Sequence, residues 1–185
     1  MLVFLLIIVL LVVGVLVYTA FTYNGLVKMR NRIEAAWAQI DVQLKRRYDL
    51  IPNLVETVKG YATHERDTLE AVINARNRAI SAPDGSREQA DAENAITGAL
   101  RQVFALSEAY PDLKANQNFG QLQEELTSTE DRIAYSRQFF NDSVLNYNSK
   151  IQAFPGVVLA NAMGFRPREY FEADDDSRGP VQVKF

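Results

Sequence analysis

No cysteine occurs among the 185 residues, so disulfides and thiolate chemistry are excluded outright. With His64 as the single imidazole, a zinc or copper site would need a donor set made almost wholly of carboxylates, which those metals rarely accept. A metalloenzyme is therefore not expected, and nothing in the chain calls for a cofactor. There is no GxxxxGK stretch to cradle a phosphate and no serine in a nucleophile-elbow sequence. His64-Glu65 lacks the second histidine that a helical zinc motif places at i+4, because that position is Thr68. No run alternates apolar and polar residues for long enough to build a sheet.

Charge is missing altogether from residues 1–23, MLVFLLIIVLLVVGVLVYTAFTY. At 1.5 Å per residue a helix of that length reaches roughly 33 Å, enough for a bilayer core. A secretory signal peptide fits less well, since there is no basic leading region and Tyr18-Thr19-Ala20 lacks the small first residue of an A-x-A-like cleavage site. The segment reads as an uncleaved single-pass anchor, with Tyr18, Phe21 and Tyr23 at the headgroup belt. Lys28, Arg30 and Arg32 follow closely on one side while the other side offers the terminal amine, so the positive-inside rule places the remainder in the cytoplasm.

The chain as a whole is 48% hydrophobic with a net charge of −3, enough for one domain with a real core. Apolar residues recur at three and four: Leu26, Met29, Ile33, Trp37, Ile40, Leu44 and Ile51, then Val55, Val58, Ala62, Leu69, Ile73 and Ile80, with Arg76 as the odd member. A third row runs Ala92, Ile96, Ala99, Val103, Leu106, Tyr110. The longest, Phe119 through Leu126, Ile133, Phe140, Tyr147 and Phe154, keeps close to a coiled-coil period over five heptads. Turn signals lie at Ser81–Ser86, Tyr110-Pro111 and Phe154-Pro155-Gly156, and Ser86 with Gln89 forms a capping box. The expected fold is all-α: an N-terminal transmembrane helix (1–23), an antiparallel four-helix bundle (24–153), and a short irregular C-terminal region (154–185). The bundle helices are placed near 24–49, 50–81, 86–109 and 117–153. This assignment makes Asp49 a cap and Pro52 a first-turn residue at a helix corner, where the missing N–H has no intrahelical partner to lose. The competing reading is one long helix through Pro52, because the apolar spacing keeps its register across it.

RRYDLIPNLVETVKGYATHE, YPDLKANQNFGQLQEELTSTEDRIAYSRQFFNDSVLNYN and FPGVVLANAMGF resemble the LemA family of bacterial membrane proteins. The resemblance covers nearly the whole chain and implies a membrane-anchored helical bundle at a bacterial inner membrane. It implies little chemistry, because relatives are associated with membrane-remodelling systems and with neighbouring membrane metallopeptidases rather than with an activity of their own. The function expected is a non-enzymatic scaffold or adaptor that contacts membrane lipid, self-associates and meets other membrane proteins. Membrane remodelling, or service as an accessory subunit of a membrane metallopeptidase, is the alternative.

Polar residues on the apolar rows need partners, because a charge left alone in a bundle interior costs several kcal/mol. Glu130 is expected to bridge to Arg76 or Arg137, with Asn141 and Tyr147 completing a network that fixes helix register. Lys45, Arg46 and Arg47 lie too far along the helix to serve as headgroup anchors. They are expected to offset the carbonyl end of the first helix or to pair with a neighbouring subunit. One short basic run in an acidic protein gives no case for nucleic acid.

Residues 154–165 are uncharged and too short to cross a bilayer, so they either pack on the bundle or dip into an interface. An acidic stretch, Glu169–Asp176, precedes the one short alternating run, Pro180–Phe185. Phe139 and Leu145, off the main row of the fourth helix, are expected partner contacts. For Val183 and Phe185 two readings stand, a strand that adds to a partner's sheet edge as a partner contact and a frayed tail. Topology is open to a direct test. A cysteine introduced at Ser86 should resist a membrane-impermeant thiol reagent in intact cells and react after lysis; labelling before lysis would place the bundle outside.

Overall fold

The computed structural model describes residues 1–171, which form six helices: α1 Leu2–Lys59, α2 Arg66–Ser81, α3 Arg87–Ala109, α4 Pro111–Lys114, α5 Gln117–Gln152 and α6 Gly156–Ala162. No strand occurs among the described residues, and the alternating run with Val183 and Phe185 lies outside them. The architecture is all-α with an N-terminal transmembrane helix. None of the most apolar 18-residue window of α1 is buried against protein.

Spacing explains why α1 and α5 are long. In α1, Leu26, Ile33, Ile40, Arg47 and Leu54 recur every seven residues, and so do Leu44, Ile51 and Val58; all are buried. In α5, Phe119, Leu126, Ile133, Phe140 and Tyr147 repeat in the same way and are buried too. A seven-residue repeat keeps one seam of a helix turned toward its neighbours over many turns.

Contacts divide the chain into two compact units. One comprises residues 1–39 and 138–170. Within it α1 and the end of α5 run antiparallel: Trp37 meets Phe140 edge-on at 5.5 Å, while Tyr23, earlier in α1, meets Phe165, later in the chain, at 5.8 Å. Asn148 is buried, and its side chain both donates to the Arg168 carbonyl (2.8 Å) and accepts from the Arg168 N–H (2.9 Å), tying the segment after α6 to α5.

The other unit comprises residues 40–137 with Phe171. Four helical segments, from α1, α2, α3 and α5, surround one core. Ile51, Leu54 and Val58 meet Leu69, Val72, Ala75 and Ala79, with Ile96, Leu100 and Val103 of α3 and Phe119 and Leu126 of α5. The cap expected at Ser86 forms here. Ser86 Oγ accepts from the Gln89 N–H at 3.1 Å and the Gln89 side chain accepts from the Gly85 N–H at 2.7 Å, so the two residues close the start of α3 together. Asn116 Oδ1 likewise accepts from the Phe119 N–H at 3.0 Å to open α5.

The corner at Asp49 and Pro52 is not there. Pro52 lies inside α1, which continues to Lys59 and ends where Gly60 follows a lysine, a combination that favours helix termination. A proline in a helix leaves the carbonyl four residues earlier without its N–H partner. That carbonyl belongs to Tyr48, and Arg76 Nε donates to it at 2.7 Å. The odd arginine of the second row thus replaces the hydrogen bond that Pro52 cannot make, while α1 keeps the buried series Leu44, Arg47, Ile51, Leu54 that a corner would have broken. Because the chain turns at 60–65, the helical phase restarts. The inner face of α2 is Leu69, Val72, Ala75 and Ala79, whereas Ile73 and Ile80, expected inside, are exposed.

This compensation makes a specific prediction for unfolding followed by circular dichroism in detergent. Arg76→Met should cost about 1–3 kcal/mol by stranding the Tyr48 carbonyl. In a Pro52→Ala background the same change should cost much less, since the backbone amide restored at that position can make the bond; equal costs in both backgrounds would refute the link.

Candidate functional site

The largest concentration of buried polar groups is centred on Arg47, whose side chain is 1% exposed. Its place in the sequence explains its burial. It occupies the seven-residue row of α1 between Ile40 and Leu54, so the turn of the helix points it inward whatever its charge. Glu93 of α3 and Glu130 of α5 fall on the inner rows of their own helices in the same way, next to Ile96 and between Leu126 and Ile133.

These charges meet. Arg47 Nη2 pairs with Glu93 Oε2 and Arg47 Nη1 with Glu130 Oε1. Arg47 Nη1 also donates to Thr97 Oγ1 at 3.2 Å. The Thr97 hydroxyl is 2.9 Å from Glu130 Oε2 and 3.3 Å from the Glu93 carbonyl, so its one proton is committed to an acceptor. Tyr48, the next residue of α1, donates its hydroxyl to Glu93 Oε1. Burial pushes the Tyr48 phenol above its ordinary value, against the opposing pull of the Arg47 charge, which keeps the hydroxyl a donor. Through the Tyr48 carbonyl, Arg76 joins α2 to the same region. A guanidinium fork, two carboxylates, a threonine and a tyrosine from three helices thus meet, while the buried Arg47 Nε finds no acceptor among the protein groups.

Chemically the arrangement is closed. Glu93 is fully buried, and Glu130 is the more open member, 25% exposed, on a cleft of about 550 Å³ lined by Thr97, Leu100, Arg101, Phe104 and Arg137 among others. Both Glu130 oxygens already accept, from Arg47 and from Thr97, so proton transfer there would compete with the ion pair. The Thr97 oxygen accepts from a guanidinium, which withdraws the electron density a nucleophile requires.

The expected network is therefore differently made. Glu130 goes to Arg47, and Arg76 binds the Tyr48 carbonyl and Asn77 instead. The Arg137 guanidinium lies 4.5 Å above the Phe171 ring. Asn141 and Tyr147 belong to the first unit, where Tyr147 is buried and desolvation raises its phenol above the ordinary value despite the charges of Arg168 and Arg30. Arg47 neither offsets a helix end nor waits for another subunit, because α1 continues for twelve residues beyond it and its partners lie within the chain. Its neighbour Arg46 makes an exposed pair with Glu125 at 3.5 Å. The signal for Arg47 was the gap in the first apolar row between Leu44 and Ile51, where the inner position is an arginine.

Of the expected partner contacts, Leu145 is 52% exposed, while Phe139 is half-buried with the Arg32 guanidinium 4.9 Å over its ring. His64 is exposed in the turn between α1 and α2. Among the described residues no group of three or more histidine, aspartate or glutamate side chains is gathered closely enough to hold a metal ion.

Comparison with known proteins gives a match to the family model described as LemA family over residues 36–185, which takes in every member of the buried cluster. The chain is similar to magnetosome protein MamQ of Magnetospirillum gryphiswaldense, 26% identical over 184 residues that cover 86% of this chain and 68% of the relative. Magnetosome protein MamQ 2 of Paramagnetospirillum magneticum is 26% identical over 203 residues, covering 93% and 75%. Protein LemA of Metamycoplasma hominis is 28% identical over 166 residues, covering 86% and 73%.

The ionic cluster predicts an asymmetric response to substitution, read as the unfolding free energy in urea. Arg47→Met leaves Glu93 buried without its countercharge and should cost about 3–5 kcal/mol. Adding Glu93→Met to that variant should recover part of the loss; further destabilisation would mean that Glu93 does not depend on Arg47.

Proposed function

Because the chain belongs to the LemA family and carries an uncovered apolar helix long enough to span a bilayer, we propose that it is a non-enzymatic scaffold, anchored in the membrane, that self-associates and organises membrane-protein partners. The chain is a membrane-associated helical protein. The observation that carries the finer reading is the division of polarity. The interior charges are spent on one another, while large apolar side chains off the inner rows, Leu145 and Tyr135 on α5 and Val42 on α1, stand exposed.

A carboxylate or hydroxyl that is already saturated by a guanidinium supports register rather than turnover, which favours an interaction protein over a catalyst. Anchoring adds to this by confining copies to a membrane, where a raised effective concentration lets modest apolar contacts assemble them. The names of the MamQ relatives attach those proteins to the magnetosome. For this chain the corresponding reading is an assembly at a membrane, with a second copy as the first partner and another membrane protein as the client.

Gentle detergent extraction followed by mass measurement of single particles should find a homo-oligomer. Leu145→Glu should shrink it with helix content unchanged, since Leu145 is already in contact with solvent and the charge burdens only an interface. A monodisperse monomer at every concentration, from cells in which the protein still performs its role, would defeat the scaffold reading.

A further inference from the structure

The segment after α5 is built as a fixed return. At Gly156 a Cβ would come within 2.9 Å of the Lys150 carbonyl oxygen, so this close approach of backbone to backbone is open to glycine alone. Gly156 and Ala160, four residues apart, are the buried residues of α6. Beyond them Phe165 is buried with its ring against Tyr23, the last aromatic of the charge-free stretch of α1. The two side chain to backbone bonds of Asn148 to Arg168 hold the far end.

So fixed, the return leaves apolar groups bare. Phe154 is 85% exposed and Val158, on the side of α6 opposite Gly156 and Ala160, is 60% exposed. Along the chain near them cations outnumber acids: Lys28, Arg30, Arg32, Lys150, Arg166 and Arg168 stand against Glu34 and Glu169, with Arg168 paired to Glu34 at 3.5 Å. An uncharged apolar patch whose flanking segments carry a net positive charge, joined at Tyr23 to the end of the anchor, has the chemistry of a surface that enters an acidic lipid interface. A second copy of the same patch would bring like charges together, which disfavours that occupant.

We infer that α6 with Phe154 and Val158 forms a second membrane contact, lying in the headgroup region of an anionic bilayer beside the anchor. The inference rests on the anchored reading of α1. Two contacts with the bilayer fix the orientation of the first unit at the membrane, where a single span would leave it free to swivel.

The natural absence of cysteine allows a test on the full chain, reconstituted in vesicles of phosphatidylcholine and phosphatidylserine. An environment-sensitive nitrobenzoxadiazole dye is attached to single cysteines made by Val158→Cys, Leu10→Cys and Glu88→Cys. The dye at position 158 should shift its emission to the blue and lose most of it to lipids carrying a doxyl spin label near the headgroup, while the dye at 88 should keep its emission. Arg166→Glu should lower the quenching at 158. A dye at 158 that is quenched by aqueous iodide and not by doxyl lipid overturns the inference, as does a blue-shifted dye that no doxyl lipid quenches, which would mean that protein covers the patch. The Leu10 dye reports the anchor separately. Deep-doxyl quenching there with none at 158 defeats the second contact alone, and loss of quenching at Leu10 defeats the anchored reading.

Discussion

A guanidinium placed in a helical core has to find its partners inside the protein, and Arg47 imposes that condition on the second unit. Desolvating it costs several kcal/mol, which is regained only if the carboxylates stand at the right height on neighbouring helices. Glu93 and Glu130 do so from α3 and α5, and Tyr48 and Thr97 each add one further hydrogen bond to them. An apolar row can slide by a turn at modest cost, because one leucine packs much like another. A row with an arginine at one position and single glutamates opposite cannot. The cluster therefore selects one register from those that the repeat alone would permit.

Pro52 shows the same economy of partners in the backbone. A proline inside a helix is tolerated where the freed carbonyl is satisfied from elsewhere. Here α2 supplies the donor, so the side chain of Arg76 performs the task of a missing amide on α1. The outcome is a local weakness in one helix that only the presence of another repairs. Helix continuity and helix packing are thus coupled at this point, and α1 runs on to Lys59.

Polarity is distributed in a way that bears on function. In the second unit Arg47, Glu93 and Glu130 are paired with one another. In the first unit the return that packs Phe165 on Tyr23 leaves Phe154 and Val158 exposed. Interior polarity of the first kind specifies structure, and surface apolarity of the second kind specifies what the protein touches. A scaffold at a membrane needs both, a rigid body and an uncovered surface.

The charge-free run and the seven-residue rows determined, without any structure, that the chain is a membrane span followed by packed helices, because length and periodicity are local properties that neighbours do not alter. Caps such as Ser86 with Gln89 were legible for the same reason, as was the need for Glu130 to find a cation. Which cation it found was decided only by the tertiary structure. Arg47 and Arg76 both follow helical spacing, and spacing says which side a residue takes but not which residue of another helix stands opposite. The fate of Pro52 was likewise beyond local reading, since the donor that makes it tolerable lies on α2. The inner face of α2 could not be read by extending the row of α1 either, because the turn at 60–65 resets the phase and only packing determines where the next helix begins to count.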